Sequence, residues 1–176
     1  MFGSLVESEK SKCCKYWPEK EEGIMSFELT PLSKLEVAAN EVEEKGSYVV
    51  RRFRLVHRVD RTSSEREVEQ FHFKNWPDHK CPDLDEFAEF LSAMQQSSQK
   101  KNTPVIVHCS AGVGRTGTLI VADSITRNIT RQSLLDPIGA ILYMRQFRQN
   151  QVQNKIQLKF LYDFLSNFIT KERRAD

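Results

Sequence analysis

A cysteine and an arginine six residues apart lie in a glycine-rich segment that is suited to binding an anion. Residues 108–117 read HCSAGVGRTG and follow an apolar run at residues 104–107. A glycine-rich turn between a strand and a helix points backbone N–H groups at one place, at the positive end of the helix dipole. Cys109 is therefore expected to have a depressed pKa and to be a nucleophilic thiolate. Arg115 supplies a planar fork that holds two phosphoryl oxygens.

Two nucleotide-binding motifs also use a glycine-rich turn. The nucleotide P-loop needs Gly-x4-Gly-Lys-Ser/Thr, but here a cysteine takes the place of the first glycine and an arginine that of the lysine. The dinucleotide fingerprint fits the spacing of Gly112, Gly114 and Gly117. Its acidic ribose ligand, expected about 20 residues further on, has no counterpart except Asp136 at the start of a later predicted helix.

Residues 107–117, VHCSAGVGRTG, resemble the signature loop of the tyrosine-specific, cysteine-dependent protein phosphatases at every position. The resemblance implies hydrolysis of phosphotyrosine through a phosphorylated Cys109, with no metal or organic cofactor. It also implies that Thr116 hydrogen-bonds the Cys109 sulfur and that His108 orients the loop. The residues implied to bind the phosphate are Ser110, Ala111, Gly112, Val113, Gly114 and Arg115.

An acid must protonate the tyrosyl oxygen as it leaves, and a carboxylic acid on a mobile loop can arrive with the substrate. Asp78 in the segment Trp76-Pro77-Asp78 resembles the acid of the family's Trp-Pro-Asp loop. The resemblance implies that Trp76 is the hinge, that Pro77 stiffens the loop, and that Asp78 becomes the base in the second step. Residues 80–81, Lys-Cys, depart from the Gly-Val that is usual in the family.

Downstream, residues 145–157 resemble the family's glutamine loop, in which a neutral amide orients the water that hydrolyses the thiophosphate. Gln153 and Gln157 match the two family glutamines. Asn154 replaces the usual threonine and is expected to cap the last helix. Arg145 and Arg148 are interpreted as structural residues.

Near the start of the sequence, residues 7–18 resemble the family's glutamate loop. The resemblance implies that Glu7 pairs with Arg115 and holds its fork in place. Lys12 is implied to approach the closed Asp78 loop, and Ser8 stands where lysine is usual.

The whole composition is that of one enzyme-sized domain. The 176 residues carry a formal charge of +2, which gives no broad reason to expect nucleic acid as a partner. No apolar run approaches the roughly 20 residues that span a bilayer, and residues 1–9 do not resemble a secretory leader. The four cysteines, Cys13, Cys14, Cys81 and Cys109, are expected to be reduced thiols in a cytosolic compartment.

The elements that position these residues follow from their periodicity. Strands are predicted near residues 25–29, at 48–59 and at 68–74, with polar turns or linkers at 60–65 and 97–103. The run at 104–108 is predicted to be a buried strand in the middle of the sheet. Apolar spacing predicts four helices, beginning near Asp83, Arg115, Asp136 and Ile156. The predicted fold class is α+β (α/β-like), with a central mixed twisted sheet flanked by helices.

The resemblance extends over most of the chain but covers only the later part of the family's domain. The family's Lys-Asn-Arg-Tyr motif and its tyrosine-recognition loop are not found, so a single phosphatase domain lacking its N-terminal part is expected. Three functions remain open: a protein-tyrosine phosphatase, a phosphotyrosine-binding module with little turnover, and a dual-specificity phosphatase. The expected partners are phosphotyrosine-containing proteins, with a cytoplasmic location or one on the cytoplasmic side of a receptor parent.

Overall fold

The computed structural model describes residues 1–7, 9–76, 80–129 and 135–175. Within this part, the chain divides into two compact units. The first consists of Met1–Cys13 and Asn75–Asp176, and the second of Cys14–Lys74. The first unit contains a two-stranded ribbon and the α-helices, and the second contains a four-stranded sheet.

The second unit is an antiparallel sheet in which sequential strands are neighbours. After a 3₁₀ turn at Lys20–Glu22, its strands are β3 (Ile24–Thr30), β4 (Ser33–Lys45), β5 (Tyr48–Val59) and β6 (Thr62–Phe73). Residues with positive φ angles, Gly46 at 67° and Asp60 at 49°, make the turns on either side of β5. The turn after β5 is therefore confined to residues 60–61, and most of the polar segment predicted to be a turn continues the sheet as β6.

In the first unit, the ribbon pairs β1 (Val6–Glu7) with β2 (Lys10–Ser11). The helices are α1 (Leu84–Lys101), α2 (Gly114–Arg127), α3 (Pro137–Arg145) and α4 (Lys155–Ala175). Asp83 caps α1 by accepting hydrogen bonds from the N–H groups of Asp85 and Glu86, at 2.9 and 3.1 Å. Helix α1 continues through most of the segment predicted to be a linker at residues 97–103.

Aromatic packing holds α1 and α4 together. Phe87 of α1 makes edge-to-face contacts with Phe160 and Phe164 of α4, with ring centroids 5.1 and 4.9 Å apart. Trp76, which is fully buried, packs edge-to-face on Phe87 at 5.6 Å. Trp76 is therefore part of the buried aromatic core of this unit. No described helix combines the length and the apolar character needed to cross a bilayer.

The α+β class is confirmed, but two details of the predicted sheet are wrong. All strand pairs among the described residues are antiparallel, so they do not form the expected mixed sheet. Residues 104–108 belong to no strand, and Ile106 is 89% exposed. Their β-branched side chains favour extended backbone, but a strand also needs a partner ladder. The Phe2 N–H donates to the His108 carbonyl at 3.1 Å, but no strand of the described sheets pairs with this segment.

Candidate active site

The loop that carries Cys109 leads directly into the N-terminus of α2. Helix α2 begins at Gly114, and its N-cap residue, Val113, makes no side-chain capping bond. The first N–H groups of the helix are thus not satisfied by a side-chain cap and suit an anion, as does the positive end of the helix dipole. The loop bends at Gly112, where a φ of 70° favours glycine. These features suit an anion, and the anion cradle at this loop stays a prediction.

The Cys109 thiol is 8% exposed and receives several hydrogen bonds. The Thr116 hydroxyl donates to Sγ at 3.2 Å. Burial raises the pKa of the thiol, but bonds from the Thr116 hydroxyl and from the N–H groups of Thr116 and Gly112, together with the charge of Arg115, hold the pKa of Cys109 below its ordinary value. These groups favour a thiolate, the nucleophilic form of cysteine.

Arg115 is 2% exposed and is held from two sides. Its Nη1 donates to Oε1 of Glu7 at 2.6 Å and to the carbonyl oxygen of Trp76 at 2.8 Å. Glu7 lies in the β1–β2 ribbon and Trp76 lies just before the predicted acid loop. The structure thus brings together Glu7, Arg115 and Trp76, three of the residues singled out in the sequence.

Arg148 holds the loop that carries Cys109 by two hydrogen bonds to backbone carbonyl groups. Its Nε donates to the Gly112 carbonyl at 2.8 Å, and its Nη2 donates to the Ala111 carbonyl at 3.0 Å. Arg145 makes an equivalent pair of bonds to the carbonyls of Gln151 and Val152, each at 2.9 Å. The sequence predicts a structural role for both arginines but not the groups that they contact. The contacts fix the carbonyl groups of two separate loops.

Both candidate glutamines lie against the start of α2. A Cβ atom at Gly114 would lie 2.8 Å from Nε2 of Gln157 and 3.1 Å from Oε1 of Gln153. Gln157 is 1% exposed, and its Oε1 accepts a bond from the Gln153 N–H at 2.9 Å. The capping role predicted for Asn154 is confirmed, because its Oδ1 accepts from the Gln157 N–H at 2.9 Å. A side chain at position 114 would therefore force at least the Gln157 amide to shift.

The acid loop is described only at its two ends. Pro77 and Asp78 lie outside the described residues, as does Ser8. The Trp76 indole N–H donates to the Lys80 carbonyl at 2.8 Å and so joins the residues that precede and follow residues 77–79. The Lys12 N–H donates to the Leu5 carbonyl at 2.7 Å, next to the ribbon that carries Glu7.

His108 precedes the nucleophile, and its Nδ1 lies 3.3 Å from the Cys109 carbonyl oxygen. Burial lowers the pKa of His108, although the contact with that carbonyl opposes the change. The lowered pKa favours the neutral imidazole, and the orienting role of His108 stays a prediction.

Comparison with known proteins gives one consistent family. The family model described as protein-tyrosine phosphatase matches residues 1–167. The chain is 33% identical over 158 residues to Tyrosine-protein phosphatase 99A of Drosophila melanogaster, covering 87% of this chain and 12% of that protein. It is 34% identical over 154 residues to Tyrosine-protein phosphatase Lar of the same organism, covering 87% of this chain and 7% of that protein.

A third similar protein comes from Culex quinquefasciatus. This putative receptor-type tyrosine-protein phosphatase, mosPTP-1, is 34% identical over 158 residues, covering 87% of this chain and 10% of that protein. The chain therefore spans between 7% and 12% of the length of these relatives.

Proposed function

We propose that this chain, which belongs to the protein-tyrosine phosphatase family, hydrolyses phosphotyrosine in proteins through a cysteinyl-phosphate intermediate on Cys109. The enzymatic class follows from the family, whose similar members are named tyrosine-protein phosphatases. The observation that carries the proposed mechanism is the thiol of Cys109, hydrogen-bonded by Thr116 at 3.2 Å beside the buried Arg115.

In the first step, the Cys109 thiolate attacks phosphorus and forms an S–P bond while the bond to the tyrosyl oxygen breaks. Asp78 gives its proton to the departing phenolate, so a neutral tyrosine leaves. The N–H groups at the start of α2 and the Arg115 guanidinium stabilise the negative charge on the equatorial oxygens. Glu7 keeps that guanidinium in place through the bond at 2.6 Å.

In the second step, water attacks the phosphorus of the thiophosphate. Asp78, now ionised, takes a proton from this water, while Gln153 and Gln157 orient it. The S–P bond breaks and the thiolate leaves with its charge stabilised by the Thr116 hydroxyl. The position of both amides next to Gly114 supports this assignment, because it places them beside the loop that binds the phosphate.

The test compares phosphate release from a phosphotyrosine peptide and from the matching phosphoserine peptide. We expect the natural chain to hydrolyse only the first, and Cys109→Ser to lose at least about 10³-fold in rate. Equal rates on the two peptides would favour a dual-specificity phosphatase. Binding of the phosphotyrosine peptide without release, by a folded sample, would favour a binding module. Turnover that survives in Cys109→Ser would overturn the mechanism.

Further proposals concern the domain organisation, the partners and the cellular location of the chain. We propose that residues 1–176 act as one catalytic domain whose partners are phosphotyrosine-containing proteins. We further propose a cytoplasmic location, or one on the cytoplasmic side of a receptor parent. The receptor-type name of mosPTP-1 supports the location on the cytoplasmic side of a receptor parent.

A further inference from the structure

Residues 2–4 form a short strap that lies against the buried Arg115. The Phe2 N–H donates to the His108 carbonyl at 3.1 Å, and the Ser4 N–H donates to Oε1 of Glu7 at 3.2 Å. The Phe2 ring is 2% exposed and packs edge-to-face on Trp76, with centroids 5.2 Å apart. The strap is thus attached at one end to the backbone just before Cys109 and at the other to the carboxylate that holds Arg115.

Gly3, in the middle of the strap, makes the closest approach. A Cβ atom at this position would lie 2.0 Å from Nη1 of Arg115 and 2.5 Å from Oε1 of Glu7. Both distances are far shorter than any van der Waals contact, so a side chain at position 3 requires the guanidinium, the carboxylate or the strap to move. The φ of Gly3 is +87°, in the region that favours glycine.

The guanidinium and carboxylate do not separate easily. Arg115 and Glu7 are 2% and 14% exposed at their side chains. Separating a buried ion pair leaves an uncompensated charge in a site of low dielectric constant, which is strongly unfavourable. If the strap keeps its bonds at Phe2 and Ser4, a side chain at position 3 therefore displaces the pair together, and the guanidinium moves relative to Cys109.

We propose that Gly3 is a positioning residue for phosphate binding: its lack of a side chain lets the strap close over the Arg115–Glu7 pair and fixes the plane of the guanidinium. This inference rests on the proposed function in that Arg115 is the group that holds the phosphate. It assigns a role to a residue outside all the motifs singled out in the sequence. No catalytic contact of Gly3 itself is implied.

The first measurement compares Gly3→Ala with Ser4→Ala. Ser4 is exposed and keeps its N–H in the variant, so Ser4→Ala tests a methyl-for-hydroxyl change in the same strap. We expect Gly3→Ala to raise the inhibition constant of inorganic phosphate by about 10- to 100-fold, the range for losing charge-assisted hydrogen bonds. Ser4→Ala is expected to match the natural chain within about twofold. Equal phosphate inhibition in all three proteins would overturn the proposal.

A second readout does not depend on turnover. Iodoacetate is an anion and iodoacetamide is neutral, so the ratio of their alkylation rates at Cys109 measures how well Arg115 attracts an anion to the thiolate. We expect Gly3→Ala to lower this ratio and Ser4→Ala to leave it unchanged. An absence of turnover in the natural chain, with this pattern retained, would remove the proposed function and keep the positioning role. Normal turnover, with the same alkylation ratio in the natural chain and both variants, would keep the proposed function and remove the positioning role.

A double-mutant cycle separates positioning from a general folding defect. Arg115→Ala removes the guanidinium that a Cβ at position 3 would meet, so Gly3→Ala should cost no further phosphate affinity in that background. If Gly3→Ala alone does not fold but the double variant does, the collision is with the arginine, as proposed. If neither folds, the backbone angle at position 3 decides instead, and the proposal is wrong.

Discussion

Cys109 is under opposing influences, since its burial disfavours the thiolate and its hydrogen bonds favour it. The balance lies with the thiolate, so the pKa of Cys109 is below its ordinary value. Alkylation follows the thiolate population and therefore reaches its plateau at a lower pH than for a free thiol. Thr116 is the residue whose side chain contributes most directly, through the bond to Sγ at 3.2 Å.

Replacing Thr116 with valine keeps the shape and removes the donor. We expect Thr116→Val to raise the pKa of Cys109, so that the midpoint of iodoacetamide alkylation moves to higher pH. Thr126→Val is the matched control, because Thr126 is also buried in α2 but donates to the Ala122 carbonyl. An unchanged midpoint in Thr116→Val would show that this hydroxyl does not stabilise the thiolate.

Arg148 and Arg145 allow a second comparison of single residues. Arg148→Lys keeps the charge but cannot bond both the Ala111 and the Gly112 carbonyls in the same fork geometry. We expect it to weaken inhibition by inorganic phosphate by about three- to tenfold, because net hydrogen bonds are worth about 1 kcal/mol. Arg145→Lys should leave phosphate inhibition unchanged and slow the second step, because Arg145 holds the glutamine loop. If Arg148→Lys and Arg145→Lys changed phosphate inhibition and the second step in the same way, the separate roles of the two arginines would be contradicted.

At the level of elements, Trp76 bonds to residues on both sides of the site. Its indole N–H donates to the Lys80 carbonyl at 2.8 Å, and its own carbonyl accepts from Arg115 at 2.8 Å. Trp76 thus connects Lys80 with the arginine that is proposed to bind phosphate. The position of the segment around Asp78 is therefore expected to depend on the indole donor as well as on the packing of the ring.

Trp76→Phe removes the donor and retains an aromatic ring. We expect kcat to fall about tenfold or more with little change in KM, because proton delivery contributes about 10²- to 10⁴-fold. The fall should be larger for aryl phosphates with poor leaving groups. Phe87→Leu disturbs the same aromatic contact at 5.6 Å and keeps the indole, so it should affect stability more than kcat. A uniform loss of rate across leaving groups would contradict a role in placing the acid.

The sequence predicted elements well where local signals agree. Asp136 before Pro137 indicated the start of α3, and the structure shows Asp136 accepting a bond from the Gly139 N–H at 2.7 Å. Strand β4 has no counterpart among the predicted strands. Its residues, SKLEVAANEVEEK, are rich in alanine, glutamate and lysine, which favour helices, and pairing on both sides with β3 and β5 overrides that preference.

Residues 104–108 are the opposite case, because the sequence predicts a strand there and the structure has none. Their apolar, β-branched side chains indicated a buried strand, but propensity reports only how a side chain suits a sheet. Whether a strand forms depends on a partner ladder, which is a tertiary property. The loop that follows could be predicted because its chemistry is contained in contiguous residues, whereas the bond between Glu7 and Arg115 joins positions 108 residues apart and was suggested only by resemblance.

At the level of the whole molecule, the described site residues all belong to the unit formed by Met1–Cys13 and Asn75–Asp176. The sheet of Cys14–Lys74 is inserted in sequence between Glu7 and the acid loop. The family match at residues 1–167 nevertheless runs through both units. The residues proposed to carry out the chemistry therefore belong to one unit, while the family match covers both.

The central claim is that the phosphoryl group of the substrate is transferred to the Cys109 sulfur and from there to water. Rapid mixing of the complete chain with an aryl phosphate, followed by quenching and intact mass spectrometry, tests it most directly. The account predicts a burst of phenol of about one equivalent per active site, together with a protein that has gained one phosphoryl group on the peptide containing Cys109. Steady phenol release from the first turnover, with phosphate on no cysteine even when Gln157→Ala slows the second step, would contradict it.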